Sequence, residues 1–249
     1  EEARAVMEKY GAAIVEDEHS KIDIEKKVED HYGQLFKPPF LRLTSAALLV
    51  ALGIGLITFG FQLWIPSNLQ SLGFSEEEAS RLLRDSAIIG FPLNFLVAGL
   101  YGFWSSKKTL IALVGLTSAA MLGFVVAGDA VVHHPYLLHA LLIMPIWGIS
   151  SVTAVLSAYA AEIYPTRIRS RGSGLIAGLT KAGGVLIIGL VTVAVAPPSI
   201  AGTALIGAVP MALAALAVTA FGVETRKRPL EDITADQLGN QVTAPSRST

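Results

Sequence analysis

Lys181 lies ten residues beyond Arg171 inside a long apolar run, which at about 1.5 Å per helical residue sets its ammonium roughly 15 Å into a bilayer. A charge at that depth costs about 2.5 to 3.5 kcal/mol on insertion scales, so it normally has work to do. It can bind an anionic solute, pair with a carboxylate of another helix, or snorkel to the surface. Other polar or aromatic groups lie at comparable depth. Asn94 comes two residues after Pro92 and offers both a donor and an acceptor. Trp147 follows Pro145 and can stack on a ring or cover a carboxylate; Ser150, Ser151 and Thr153 come after it, and Thr58 and Gln62 stand in an earlier apolar run. Lys181, Asn94, Trp147, Gln62 and Ser151 are the expected substrate-binding residues, with packing or bonding to their own helix as the plainer alternative.

A second group sits where apolar runs end. Glu162 is followed by Arg167, Arg169 and Arg171, Glu224 and Arg226 follow the last run, and Lys107 and Lys108 join two runs. Opposite charges at helix ends can pair in one arrangement of a helix bundle and part in another, so these residues are expected to form a gate. Pro165 ends the preceding helix and lets the arginines project from a turn. The alternative is that the arginines only fix topology and meet anionic lipid.

The elements that must carry these groups follow from composition. Of 249 residues, 52% are apolar and 16% charged, against about 25% charged in soluble domains, and mean hydropathy is +0.56. A net charge of −1 supplies no basic field for nucleic acid. Cysteine is absent, which removes disulfides, thiolate metal sites and thiol nucleophiles. His133, His134 and His139 with Asp129 offer a loose metal-site alternative, but no H-E-x-x-H pattern is present and neither enzyme nor cofactor is expected.

Runs long enough to cross about 30 Å of hydrocarbon fall at 44–64, 86–104, 109–131, 136–161, 173–196 and 202–223, and lipid requires them to be helices. Lys37, Arg42, Lys107, Lys108, Arg167, Arg169, Arg171, Arg226, Lys227 and Arg228 share one side, whereas the other holds Arg81 and Arg84 among acids. Both termini are therefore expected in the cytoplasm. Residues 1–43 form a polar stretch with a solvated helix at 21–30, and residues 224–249 form a tail expected to be disordered. Ser75 with Glu76, Glu77 and Glu78 predicts a short capped helix on the outer side. The glycines Gly172, Gly174, Gly178, Gly183 and Gly184 predict a close helix contact along the fifth span. No signal peptide is expected from the opening Glu1-Glu2, and the chain is expected to be part of a longer one.

Residues 159–172, YAAEIYPTRIRSRG, resemble the E-[LIV]-Y-P-T-x-x-R-x-x-G signature of the sugar-porter and organic-ion branches of the major facilitator superfamily. Residues 224–233, ETRKRPLEDI, are similar to the box that follows the last helix of those transporters, and residues 1–11, EEARAVMEKYG, to the segment after their sixth helix. Residues 99–108, GLYGFWSSKK, resemble their G-x-x-x-D-R-x-G-R-[RK] loop with Phe103, Trp104 and Ser106 in place of the Asp, Arg and Gly, so a charge relay there is not expected.

The resemblance implies an all-α membrane protein of six transmembrane helices, the C-terminal half of a twelve-helix fold preceded by its central cytoplasmic loop. It implies secondary active transport by alternating access, with an N-terminal six-helix half as partner and the plasma (bacterial inner) membrane as location. Lys181 stands nineteen residues after Glu162, where organic-anion carriers of the family are basic, which suggests a carboxylate-bearing solute and anion symport. Trp147 lies fifteen residues before Glu162 rather than five, and no paired-glutamine box is present, which argues against a hexose. A sugar or other neutral metabolite, or a half inactive alone, is the alternative. With no carboxylate at mid-span, proton coupling would need an acid in the N-terminal half.

Overall fold

The computed structural model describes residues 31–193, 199–228 and 232–233; the helix expected at 21–30 and most of the tail lie outside the described residues. Among the described residues six helices are long and apolar enough to cross a membrane: α1 (Phe40–Ser71), α2 (Glu76–Trp104), α3 (Ser106–His133), α4 (Pro135–Ile163), α5 (Thr166–Val193) and α6 (Ile200–Phe221). No strand occurs among the described residues.

The first four helices overrun the expected spans because they start or end in polar sequence; α5 starts seven residues before its span, and α6 is shifted two residues toward the N-terminus. α3 begins where the Ser105 hydroxyl accepts from the Lys108 amide, and α6 where Ser199 accepts from Gly202. The capping box of Ser75 and Glu78 forms as expected. It opens α2 itself and not a separate short helix, because nothing in the sequence breaks the chain before Pro92, where α2 is interrupted at Phe91 and Pro92.

Prolines also place wider turns. α1 contains a π turn over Ile57–Gln62, ending on the residue whose carbonyl Pro66 leaves without its usual amide, and α4 contains one over Met144–Gly148 that includes Pro145. A third closes α2 at Leu100–Trp104.

α1 runs between α5 and α6. A Cβ on Gly55 would stand 2.2 Å from the Thr180 carbonyl oxygen, and one on Gly183 would stand 3.0 Å from that of Leu52, so these backbones touch because neither residue has a side chain. Of the glycines expected to line this contact, Gly183 and Gly184 meet α1, Gly172 meets Tyr164, and Gly174 and Gly178 face open space. α6 joins α3 through the Ser118 hydroxyl, which donates to the Ala208 carbonyl at 3.1 Å. α4 meets α2 where a Cβ on Gly90 would strike Trp147. α2 is the outermost helix, with Phe91, Phe95 and Leu96 more than half exposed.

Candidate functional site

The expected substrate residues do not converge on one pocket. Lys181 is exposed on α5 and lines a cavity of about 330 Å³ between α1, α4 and α5, together with Thr153, Ser157, Ser173 and Thr180. Its Nζ stands 5.7 Å from the centre of the Phe59 ring, close enough for a cation–π contact. The Thr153 hydroxyl donates to its own helix at Ile149, Ser157 to Thr153 and Thr180 to Ile176, so each keeps lone pairs toward the cavity.

Asn94, Trp147 and Ser151 come together elsewhere. The Trp147 indole and the Ser151 hydroxyl both donate to Asn94 Oδ1 at 3.0 Å, and the Asn94 side-chain amide donates at 2.9 Å to the Phe91 carbonyl, which also accepts the Asn94 backbone amide at 3.2 Å. Trp147 and Ser151 are four residues apart and share a face of α4. Thr153 and Ser157 lie about 200° to 240° further round at 3.6 residues per turn, so the Asn94 cluster and the Lys181 cavity occupy opposite sides of α4. Gln62 has a third position. Its amide donates to the Pro145 carbonyl and, at 3.4 Å, to that of Ile146, both within the α4 π turn. It also lines a separate cavity of about 310 Å³ with Ser150 and Leu83.

At the basic end of the bundle, Glu162 closes α4. Its Oε2 accepts the Tyr101 hydroxyl at 2.7 Å and the Thr225 hydroxyl at 2.5 Å, so uncharged donors hold it where the sequence suggested arginines. Glu224 accepts the Ser105 hydroxyl and, at 3.0 Å each, the amides of Ser106 and Arg226. Burial raises the Glu224 pKa, but the Ser105 hydroxyl and the amides of Arg226, Ser106 and Thr225 outweigh it and leave the carboxyl below the usual range. Arg226 Nη1 donates to the Trp104 carbonyl at 3.0 Å, and Lys108 sits 5.7 Å from the Trp104 ring. Lys107 is half-buried at the start of α3. Arg171 stacks 5.7 Å over Tyr32, Arg167 is exposed at the start of α5, and Arg169 lines a cavity with Glu162. The buried Tyr159 hydroxyl fixes the chain after α6, donating to the Val223 carbonyl at 2.6 Å and accepting its amide at 2.7 Å. Tyr164 is buried between α4 and α5, which pushes its phenol up to about 12.

Tyr101, Thr225, Ser157 and Thr180 are the groups that reading the sequence passed over. Tyr101 and Thr225 both stand inside matched segments, which was the available signal, but nothing in their spacing shows that they meet at Glu162. Among the described residues no three His, Asp or Glu side chains gather as a metal site; His139 Nδ1 lies 2.8 Å from the Pro135 carbonyl of its own helix.

The described residues thus form an all-α bundle of six membrane-length helices, with a lysine in a cavity between three of them and hydroxyl locks at one end. The chain belongs to the Major Facilitator Superfamily, which matches residues 8–187. It is 27% identical over 209 residues to the inner membrane metabolite transport protein YdjE of Escherichia coli (strain K12), covering 84% of this chain and 45% of that protein. It is 28% identical over 196 residues, 77% of this chain and 47% of the relative, to NiaP of Bacillus subtilis (strain 168), named as a candidate niacin/nicotinamide transporter. The chain thus spans about half the length of the curated relatives it matches.

Proposed function

We propose that this chain is the C-terminal half of a secondary transporter that carries a small organic anion across a bacterial inner membrane, with the basic end and both termini in the cytoplasm. The observation that carries the reading is Lys181. It stands fifteen residues into α5, exposed to a cavity lined by hydroxyls and free of carboxylates. A carboxylate entering there gains a charge-assisted bond to Nζ and a further bond from the Ser173 hydroxyl, while Ser157 can donate to it only by leaving the Thr153 carbonyl. An N-terminal half would supply the facing wall, and rocking of the halves would expose the cavity to either side in turn. Any coupling proton would be carried by that half, since Asp129 and Glu162 lie at helix ends and Asp85 in the charged first third of α2, ion-paired with Arg84.

A second reading, a neutral solute, is favoured by the Asn94–Trp147 pair, which could receive an amide-bearing ring if its internal bonds open. The name of NiaP joins a carboxylate and its uncharged amide, and that pair of compounds separates the two readings. A charge-assisted hydrogen bond is worth about 1.5 to 3 kcal/mol, roughly ten- to a hundredfold in affinity. Lys181→Ala in the full-length transporter is therefore expected to depress uptake of nicotinate and other carboxylates by that factor, with Lys181→Arg retaining part. Undiminished carboxylate uptake by Lys181→Ala would overturn the anion reading.

A further inference from the structure

The basic end holds a cavity apart from the Lys181 cavity, with two of the expected gate residues, Glu162 and Arg169, in its wall. It measures about 290 Å³ and lies between the end of α4, the first turn of α5 and the segment after α6, lined by Glu162, Arg169, Thr225 and Arg228. The acids of this corner are already served by uncharged donors. Glu162 has the hydroxyls of Tyr101 and Thr225; Glu224 has Ser105 and two backbone amides. Two of the bases are not fully served. Arg169 Nε, in the cavity wall, is buried with no hydrogen-bond partner among the described residues; Arg226 Nε is in the same state beside the cavity but outside its lining, and its Nη1 reaches the Trp104 carbonyl.

A guanidinium N–H withdrawn from water without an acceptor is costly, and positive charge in a partly enclosed cleft concentrates the potential felt by an anion. The missing partner must offer several oxygens in the geometry of the arginine fork, and must tolerate a carboxylate in the opposite wall. A phosphate group meets the first requirement better than a carboxylate, because it presents oxygens to two arginines at once. The second is met in part because the Glu162 Oε2 is covered by two hydroxyl hydrogens.

We propose that this cavity binds a phosphate group between Arg169 and Arg228, and that its occupancy holds the segment after α6 against the ends of α4 and α5. The group can arrive as the headgroup phosphate of an anionic lipid in the adjoining leaflet or as a soluble phosphate, and the two sources separate experimentally. The probes are inorganic phosphate, added to the full-length transporter in detergent at constant ionic strength, and phosphatidylcholine vesicles with and without phosphatidylglycerol. The readout is the thermal unfolding midpoint of wild type, Arg169→Gln, Glu162→Gln and, as a control at the opposite end, Arg81→Gln.

A soluble-phosphate site raises the midpoint with inorganic phosphate in wild type and Arg81→Gln, abolishes the rise in Arg169→Gln, and moves saturation to lower phosphate in Glu162→Gln, where the opposing charge is gone. A headgroup site leaves inorganic phosphate without effect and shows the same ranking with phosphatidylglycerol vesicles. Equal responses of wild type and Arg169→Gln to both probes would overturn the proposal. Should Arg169→Gln not fold, Glu162→Gln decides alone, and an unchanged response to both probes would overturn it.

Discussion

The Trp147 indole donates to Asn94 Oδ1 at 3.0 Å, and the same oxygen accepts the Ser151 hydroxyl. A single amide thus links the break in α2 to the face of α4 just after its π turn, and it does so with both lone pairs of its oxygen engaged. Trp147, only 8% exposed, is pinned by that bond. Asn94 therefore acts first as a joint between helices, and a solute reaching it must displace a donor.

Asn94→Ala leaves an indole N–H and a hydroxyl without their acceptor. Hydrogen bonds between membrane helices average about 0.6 kcal/mol and reach about 1.7 kcal/mol, so the pair is expected to cost on the order of 1 to 2 kcal/mol. Thermal unfolding should show a midpoint lower by several degrees. Adding Ser151→Ala to Asn94→Ala should cost little more, because the hydroxyl it removes is already orphaned. Full additivity of the two losses would contradict a shared acceptor.

At the other end of α4, Tyr101 is the link that can be cut without touching a charge. Tyr101→Phe removes one of two donors to Glu162, and hydrogen bonds to charged groups are worth about 1.5 to 3 kcal/mol when protected from water. Tyr101 is only half-buried, so the lower part of that range applies. The chain has no cysteine, which makes Gly102→Cys, on an exposed residue, a clean reporter within it. Thiol labelling at that position is expected to be several-fold faster when Tyr101→Phe is added than when Tyr101 is kept. Glu162→Gln should slow transport, and equal uptake would show that the contact serves packing alone.

Tight backbone contact makes a third expectation. Gly55→Ala forces a methyl to within 2.2 Å of the Thr180 carbonyl oxygen, whereas Gly183→Ala brings one to 3.0 Å from that of Leu52. Overpacking of this kind costs about 1 to 3 kcal/mol, so both variants should unfold at lower temperature, Gly55→Ala the more so. Gly115→Ala, with nothing within 4 Å, should be neutral or slightly stabilising through helix propensity. A reversed order of Gly55→Ala and Gly183→Ala would show that the helices separate at this crossing.

The six spans were legible because a bilayer permits little else for a long apolar run, and the family was legible in residues 159–172, which lie within the matched region. Helix ends were less so, since Ser75 and Ser105 begin helices in polar sequence that hydropathy discounts. The partition of the polar residues was not legible. Depth along a helix can be counted, but the face it presents depends on the π turn at Met144–Gly148, which inserts about one residue and rotates the remainder of α4 by roughly 100°. Spacing separates Trp147 and Ser151 from Thr153 and Ser157, but only the structure shows that the first pair meets α2 and the second the Lys181 cavity. The hydroxyl lock of Glu162 joins residues 61 and 63 positions distant, which no local pattern reveals.

Glu224 makes the last expectation, a pH dependence. Its folded pKa lies below the ordinary glutamate value, since hydrogen bonds from Ser105 and backbone amides outweigh burial. A depressed carboxylate pKa contributes stability that is complete above the unfolded value and is lost as pH falls through the folded one. The segment from Gly222 to Arg228 should therefore stay docked through neutral and mildly acidic pH and loosen only at acidities below the ordinary glutamate range. A spin label on Lys227→Cys, an exposed position in that segment, reports the change as a rise in mobility on acidification. Glu224→Gln carries no charge to lose, so its label should be more mobile at neutral pH and insensitive to acid. A transition in Glu224→Gln at the same pH as in wild type would assign the loosening to another group.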